Sequence, residues 1–290
     1  MSSALSDLIA EATDTLARAG VASPEADAWH LASHVWGIGR GELHARMIVG
    51  SIDVTESHRE EFSSLLARRV NREPLWHITG VAPFLDMDLR VGPGVFSPRP
   101  ETELLAQHAI DEALSLHPAE GTLRVVDVCA GSGPLALALA RALPHADVLA
   151  IELSEKAESF LRENISRHAP SVDLIMGDID ELAKHAWAGH VDVIVTNPPY
   201  LRLDEPLDYE TAGFDPGMAL TSGPDGLDLI RRLIPLAYRA LRPGGVIVME
   251  HGVDQGEEIC QSLADAGFKH QTTVSDLVGR DRFSRAIKGA

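Results

Sequence analysis

Lysine is scarce in this chain of 290 residues, and the formal net charge is −18. Proteins that bind duplex DNA depend largely on Lys and Arg to neutralise phosphates, so this composition disfavours direct, specific binding of nucleic acid. The same negative charge would also keep the chain soluble, whatever its partners are. The only lysines are Lys156, Lys184, Lys269 and Lys288.

Cysteine is rarer still, and long hydrophobic runs are missing. Cys129 and Cys260 cannot form a disulfide framework and do not have the spacing of metal ligands, so we expect no metal. No apolar run has the length that spans a bilayer. Residues 1–7 lack the basic start and the apolar core of a signal peptide. These absences predict a soluble, cytoplasmic protein that does not associate with membranes.

Helical patterns fill the first part of the chain. Ser23-Pro24-Glu25 is typical of a helix start, and apolar residues that include Trp29 and Trp36 follow at helical spacing. A second apolar stripe ends before Glu73-Pro74. We therefore predict a small helical domain over residues 1–74, with both tryptophans in its core.

Residues 75–99 change character. The alternation of apolar and polar residues in 85–91 predicts a strand, and Gly92-Pro93-Gly94 predicts a turn. We interpret this segment as a β-hairpin that connects the helical domain to a larger domain over residues 100–290.

Strand and helix patterns alternate from about residue 122 onward. This alternation predicts an α/β fold with a mostly parallel sheet that is covered by helices on both faces. The last two strands follow each other through a short loop, so we expect one of them to run antiparallel at an edge of the sheet. The predicted strands are 124–128, 147–152, 172–176, 191–196, 245–250, 269–275 and 282–287.

A glycine-rich turn follows the first of these strands and leads directly into a helix. Such a turn lets a ligand approach the backbone closely. Glu152 ends the next strand, 19 residues beyond the last residue of the turn, and its carboxylate could accept both hydroxyl protons of an adenosine ribose. The residues of the turn are Cys129, Ala130, Gly131, Ser132 and Gly133.

Asp178 and Ile179 follow the third strand. We expect the acid to meet the amino group of an adenine and the apolar residue to lie against its ring.

The glycine-rich turn alone does not decide which ligand binds. It fits a dinucleotide, whose pyrophosphate would lie at the helix N-terminus, as well as it fits S-adenosylmethionine, which has no phosphate.

Asn197-Pro198-Pro199-Tyr200 directly follows strand 191–196, at the carboxyl end where open α/β sheets bind ligands. An amide-type nitrogen is a poor nucleophile because its lone pair is delocalised. The Asn197 side-chain oxygen and the Pro198 carbonyl can accept its two N–H groups, orient the nitrogen and stabilise the charge that develops on it. The prolines hold that carbonyl rigidly, and Tyr200 offers a flat face to a planar group. We predict that all four residues bind the substrate, that Asn197, Pro198 and Tyr200 are catalytic, and that Asn197 also contacts the donor.

Several motifs together resemble the bacterial peptide chain release factor glutamine methyltransferases, often called the PrmC or HemK family. The resemblance covers nearly the whole chain, and its most specific part is Pro98-Arg99-Pro100-Glu101-Thr102-Glu103. In the glycine-rich turn, Cys129 stands where the family usually has its first glycine. The other motifs are Arg72–Leu75, Asp127–Gly133, Asn197–Tyr200, Gly223–Leu227, Arg242–Gly245 and Asp276–Arg282.

The resemblance implies a class I, Rossmann-like methyltransferase domain with a seven-stranded sheet, preceded by the helical domain and the hairpin. It implies S-adenosylmethionine as donor and S-adenosylhomocysteine as product. It implies as acceptor the glutamine side chain in the Gly-Gly-Gln motif of class 1 release factors, docked by the helical domain. We expect a monomer.

Other functions remain open at this stage. Glutamine methylation of a large-subunit ribosomal protein would use most of the same motifs. Methylation of adenine or guanine in nucleic acid would share the Asn-Pro-Pro-Tyr element, but the scarcity of lysine disfavours it. A binding module without catalysis would be expected to lose the asparagine or the glycine turn, and both are present.

Overall fold

The computed structural model describes residues 4–116 and 121–289. Residues 1–3, part of the segment for which we predict no signal peptide, lie outside the described residues, as do residues 117–120 and 290 of the predicted domain over residues 100–290. No helix in the described part of the chain is both long enough and apolar enough to cross a membrane.

The helices are α1 (Ala4–Arg18), α2 (Pro24–Trp36), α3 (Arg40–Ile48), α4 (Glu56–Val70), α5 (Leu75–Thr79), α6 (Pro100–Ser115), α7 (Pro134–Ala142), α8 (Glu155–His168), α9 (Glu181–Lys184), α10 (Tyr209–Phe214), α11 (Asp228–Ala240) and α12 (Gly256–Asp265). The strands are β1 (Val81–Phe84), β2 (Met87–Arg90), β3 (Arg124–Val128), β4 (Asp147–Glu152), β5 (Asp173–Met176), β6 (Val191–Thr196), β7 (Leu241–Glu250), β8 (Phe268–Ser275) and β9 (Asp281–Lys288).

The chain divides into two compact units. The first comprises Met1–Val81 together with Asp208–Phe214, and the second comprises Ala82–Leu207 and Asp215–Ala290. The core of the first unit is built mainly from the apolar faces of α1 and α2, and α3, α4 and α5 add buried side chains to it. Trp29 is buried there and Trp36 packs against the same core, as the helical spacing predicts.

Ion pairs explain why Asp208–Phe214 belongs to the first unit although it lies far along the sequence. Arg69 is almost fully buried, and its guanidinium donates to Asp27 Oδ2 at 2.7 Å and to Glu210 Oε1 at 2.9 Å. Arg72 Nε reaches the same Glu210 oxygen at 2.7 Å, and its guanidinium lies over the ring of Tyr209.

The hairpin forms as a two-stranded sheet of β1 and β2. The predicted strand over residues 85–91 is shorter in the structure, because Leu85 takes a positive φ of 52° in the turn between the strands. The second strand therefore begins only at Met87.

The described residues of the second unit form a seven-stranded sheet in the order β5-β4-β3-β6-β7-β9-β8. The first five of these pair in parallel, and helices bury apolar cores on both faces, which confirms the predicted fold class. The prediction of an antiparallel strand at the edge is wrong in one respect. β9 runs against both neighbours but lies between β7 and β8, and β8 forms the edge. Burial accounts for this order, because Phe283, Ser284 and Ala286 on β9 are buried whereas most of β8 is not.

Candidate active site

The glycine-rich turn follows β3 and uses left-handed backbone at three positions. Cys129, Gly131 and Gly133 have φ of 64°, 59° and 93°. This conformation is unfavourable for a residue with a side chain, so Cys129 carries strain that a glycine would not. A Cβ added to Gly133 would lie 2.7 Å from Leu161 Cδ1, whereas one added to Gly131 would meet nothing within 4 Å. The turn thus packs tightly at Gly133 and leaves open space beside Gly131.

Glu152 ends β4 beside this turn, and its side chain is 8% exposed. Its Oε2 accepts the backbone N–H of Gly131 at 2.7 Å, and its Oε1 accepts that of Ser154 at 2.6 Å. A carboxylate has about four lone-pair sites, so each oxygen can still accept a further hydrogen bond. The acid is therefore fixed in place and still able to accept hydroxyl protons, as the ribose prediction requires.

Asp127 belongs to the same region, and its role is not predicted by the sequence analysis. It is fully buried on β3, and its Oδ2 accepts the backbone N–H of Ala136 at 2.9 Å. No described residue donates to its Oδ1. Burial raises the pKa of Asp127 to about 8, and the nearby Glu152 carboxylate adds to the shift. An acid at the start of a glycine-rich turn is the sequence signal that would have identified it.

Negative groups surround the turn. Burial raises the pKa of the Cys129 thiol, and the carboxylates of Glu152 and Asp178 raise it further. The thiol is therefore protonated and unsuited to act as a nucleophile. A pyrophosphate would be repelled by this cluster, whereas a ligand with a positive charge would be attracted. The open space at Gly131, the unpartnered Asp127 oxygen and the anchored Glu152 together fit S-adenosylmethionine, which carries a sulfonium and an ammonium.

Asp178 and Ile179 differ in how accessible they are. Asp178 Oδ2 accepts a hydrogen bond from Arg232 at 2.8 Å, which lowers the pKa of the carboxyl, and its Oδ1 accepts the N–H of Ile179. About 40% of the Asp178 side chain remains exposed. Ile179 is buried in the core between the sheet and α11, at 4% exposed. Both residues follow β5, which pairs with the strand that ends at Glu152.

Asn197 directly follows β6, the strand next to β3. Thr196 Oγ1 donates to the carbonyl of Val128 at 2.6 Å and joins the ends of these strands. Asn197 Nδ2 donates to Thr102 Oγ1 at 3.2 Å. In the part of the chain that the structure describes, no hydrogen bond is made to Asn197 Oδ1 or to the carbonyl of Pro198. The two predicted acceptors are thus both available.

Tyr200 is held at both ends. Its hydroxyl donates to Glu250 Oε1 at 3.2 Å, and its carbonyl accepts the Gln255 amide at 2.9 Å. Gly226, with φ of 81°, packs so closely that an added Cβ would lie 2.1 Å from the Tyr200 carbonyl oxygen. Burial and the Glu250 carboxylate raise the pKa of Tyr200, which keeps its hydroxyl protonated.

Thr102 and Glu250 complete this part of the site, and neither is identified by the sequence analysis as a site residue. Thr102 Oγ1 donates to Glu250 Oε2 at 2.9 Å, and both side chains are buried. Burial raises the pKa of Glu250 to about 7, against the opposing effect of hydrogen bonds from Thr102 and Tyr200. Glu250 ends β7, beside β6, so its position at the carboxyl end of a central strand was an available signal.

His251 has a structural role. It is fully buried, its Nδ1 donates to the carbonyl of Gly252 at 2.8 Å, and its Nε2 accepts from the Ser284 hydroxyl at 2.9 Å. Burial lowers the pKa of the imidazole, so it is neutral and both nitrogens are engaged. Among the described residues, no group of His, Cys, Asp and Glu has the geometry to hold a metal ion.

Two family models match the chain. The PrmC N-terminal domain matches residues 7–80, and the methyltransferase small domain matches residues 86–209. A release factor glutamine methyltransferase from Streptomyces coelicolor is 45% identical over 97% of this chain and 96% of its own length. Proteins of the same name from Bifidobacterium longum and Corynebacterium glutamicum are 38% and 39% identical, each over 98% of this chain and 99% of its own length.

Proposed function

We propose a mechanism for this chain, which belongs to the family of release factor glutamine methyltransferases. The chain is an enzyme that methylates the glutamine of a release factor. We infer that the acceptor is the side-chain amide nitrogen of the glutamine in the Gly-Gly-Gln motif of class 1 release factors. The enzyme would act as a monomer in the cytoplasm, where these factors work.

The donor is S-adenosylmethionine, which supplies a methyl group activated by its sulfonium and leaves as S-adenosylhomocysteine. The turn residues Cys129, Ala130, Gly131, Ser132 and Gly133 would cradle it. Glu152 would accept the ribose hydroxyl protons through the lone pairs that Gly131 and Ser154 leave free. The exposed part of Asp178 would meet the adenine amino group, and Ile179 would support the ring from the core.

The main observation that supports the acceptor site is the hydrogen bonding of the Asn197 side chain. Its amide nitrogen is taken by Thr102, while its oxygen and the adjacent Pro198 carbonyl have no partner among the described residues. These two acceptors suit the two N–H groups of a primary amide. Accepting both bonds orients the nitrogen and stabilises the positive charge that develops on it as the methyl group is transferred.

Pro199 and Tyr200 would shape the rest of the acceptor site. The ring of Tyr200, fixed by Glu250 and Gln255, would lie against the planar amide. No general base is needed before transfer, because the methylated nitrogen is strongly acidic and loses its proton readily afterwards. The helical domain over residues 1–74 would dock the release factor, since it has a core of its own and no catalytic group is assigned to it.

Mass spectrometry of a class 1 release factor, incubated with the enzyme and S-adenosylmethionine, tests this function. We expect one methyl group on the Gly-Gly-Gln peptide with the wild type, and none above background with Asn197→Ala. Ribosomal proteins incubated in parallel serve as the competing acceptor. Methylation of a ribosomal protein glutamine and not of the release factor would overturn the assignment of the acceptor.

A further inference from the structure

We propose that Thr102 and Glu250 are positioning residues that determine which end of the Asn197 amide faces the acceptor. This inference rests on the proposed role of Asn197. An asparagine amide has an oxygen and a nitrogen of similar size, and only the oxygen can accept a substrate N–H. If the amide turned over, it would present a donor to another donor, and the acceptor nitrogen would lose its partner.

The chemistry of Glu250 fixes the direction of the hydrogen bonds. An ionised carboxylate only accepts, so the hydroxyls of Tyr200 and Thr102 must both donate to it, at 3.2 and 2.9 Å. The single proton of Thr102 is thereby used. Its oxygen can then only accept from Asn197, at 3.2 Å, which requires the nitrogen of the amide on that side. The oxygen of Asn197 must therefore point away from Thr102.

These residues come from separate elements that meet at one end of the sheet. Thr102 lies in the first turn of α6, which packs against β6 and β7, while Asn197 and Glu250 lie at the ends of those strands. Thr102 and Glu250 are only 2% and 3% exposed, so water hardly competes for their hydrogen bonds.

The burial of Glu250 is unfavourable for the stability of the fold, so we infer that this carboxylate has a functional role. Among the described residues no cation forms an ion pair with it, and a buried carboxylate without one destabilises a fold. The charged groups that influence it are Arg282 on β9, which favours its ionised form, and Glu101 on α6, which opposes it. A glutamine could fill the same space without this penalty, but it could not impose a single direction, because its amide both donates and accepts.

Protonation of Glu250 should release the network. A protonated carboxyl can donate to Thr102, which is then free to donate its own proton to Asn197, so the amide can turn over. Since the pKa of Glu250 is raised to about 7 by burial, methyl transfer should increase as the pH rises through this value. The Tyr200 hydroxyl keeps its proton over the same range, because burial and the Glu250 carboxylate raise its pKa.

The test is single-turnover methyl transfer, measured beside equilibrium binding of S-adenosylhomocysteine. Thr102→Val removes the hydroxyl and keeps the shape, and we expect the rate to fall about tenfold or more with binding changed by less than about twofold. Thr102→Ser should restore most of the rate. Thr273→Val makes the same exchange on β8, where Thr273 contacts Cys260 and Ser284 and none of the network, and should leave the rate unchanged. A Thr102→Val enzyme with the wild-type rate would overturn the proposal.

Two further comparisons separate this inference from the proposed function. In the Asn197→Ala background, Thr102→Val should have no additional effect, because both substitutions act through one group. Additive losses would overturn the positioning role. A wild-type rate in Asn197→Ala itself would instead overturn the proposed function. Glu250→Gln, which does not titrate, should abolish the increase of the rate between pH 6 and 8, roughly the window around the Glu250 pKa; an unchanged pH profile in this variant would remove Glu250 from the network.

Discussion

The Glu152 carboxylate accepts the backbone N–H of Gly131 at 2.7 Å, so the acid that ends β4 also holds the turn that follows β3. One side chain thereby fixes the turn and offers acceptors to the donor. A substitution of Glu152 should affect both functions at once, and this makes it the most direct probe of the donor site.

Glu152→Gln should weaken donor binding while the fold is retained. Glutamine has one acceptor oxygen in place of two, and a hydrogen bond to a charged group contributes about 1.5–3 kcal/mol. Calorimetric titration with S-adenosylhomocysteine measures the change, and Glu158→Gln, at a half-exposed acid on α8 that pairs with Arg162, is the matched control. An unaltered affinity in a folded Glu152→Gln protein would exclude Glu152 from the donor site.

Asn197→Ala should reduce single-turnover methylation by about a hundredfold or more, because the substrate N–H loses a preorganised acceptor. Donor binding should decrease much less, since Asn197 is expected to contact the donor only at its reacting end. Asn71→Ala, at an exposed asparagine after α4, provides the control. Retention of the rate to within about threefold would show that Asn197 does not orient the acceptor.

Gly226→Ala and Gly279→Ala form a pair that separates backbone strain from the effect on the site. Both glycines have φ near 80°, so each substitution should destabilise the fold by about 1 kcal/mol or more. Only at Gly226 would the new Cβ meet the Tyr200 carbonyl; at Gly279 it would meet nothing within 4 Å. We expect a loss of methylation in Gly226→Ala alone, measured beside thermal unfolding of both variants. Equal activities at equal stability would contradict the proposed role of Tyr200.

Asp127→Asn should change how stability depends on pH. Since burial raises the pKa of Asp127 to about 8 from an ordinary value of 3.8, the folded chain retains a proton that the unfolded chain releases. The stability contributed by this proton is complete below pH 3.8 and is lost as the pH rises toward 8. Within that window the group contributes a slope of about −1.4 kcal/mol per pH unit.

Urea unfolding of the donor-free protein at several pH values between roughly 5 and 7 measures this slope. The free energy of unfolding should decline less steeply with pH in Asp127→Asn than in the wild type. Asp88→Asn, at an exposed carboxyl on β2, should retain the wild-type slope. Identical slopes for Asp127→Asn and the wild type would show that Asp127 is ionised in the folded chain.

The central strands were predictable from sequence because burial on both faces of the sheet makes most of their residues apolar. The bounds of β3, β4 and β6 agree with the prediction residue for residue. β7 begins earlier than predicted, at Leu241, because pairing with β6 extends it across Pro243, Gly244 and Gly245, which disfavour a strand locally. The position of β9 inside the sheet depends on pairing between distant segments, which local patterns do not contain.

The residues of the candidate site likewise fall into those that were predictable from sequence and those that were not. Glu152 and Asn197 stand at strand ends, and their positions follow from the alternation of strands and helices. Thr102 and Glu250 are 148 positions apart in the sequence and come within hydrogen-bonding distance only once α6 has packed on the sheet. The backbone hydrogen bonds to Glu152 were not predictable either, because they depend on the left-handed conformation of the turn.

The ion pairs of Glu210 with Arg69 and Arg72 have a consequence for how this chain can be recombined. The segment Asp208–Phe214 belongs to the first unit, although it is encoded downstream of Asn197. A gene fragment that starts after residue 72 would leave Glu210 without either arginine. A chimaera that takes only its first 81 residues from a relative would place the native Glu210 against the relative's residues in place of Arg69 and Arg72. To keep these ion pairs intact, the helical unit has to be exchanged between homologues as two separate stretches of sequence, residues 1–81 and 208–214.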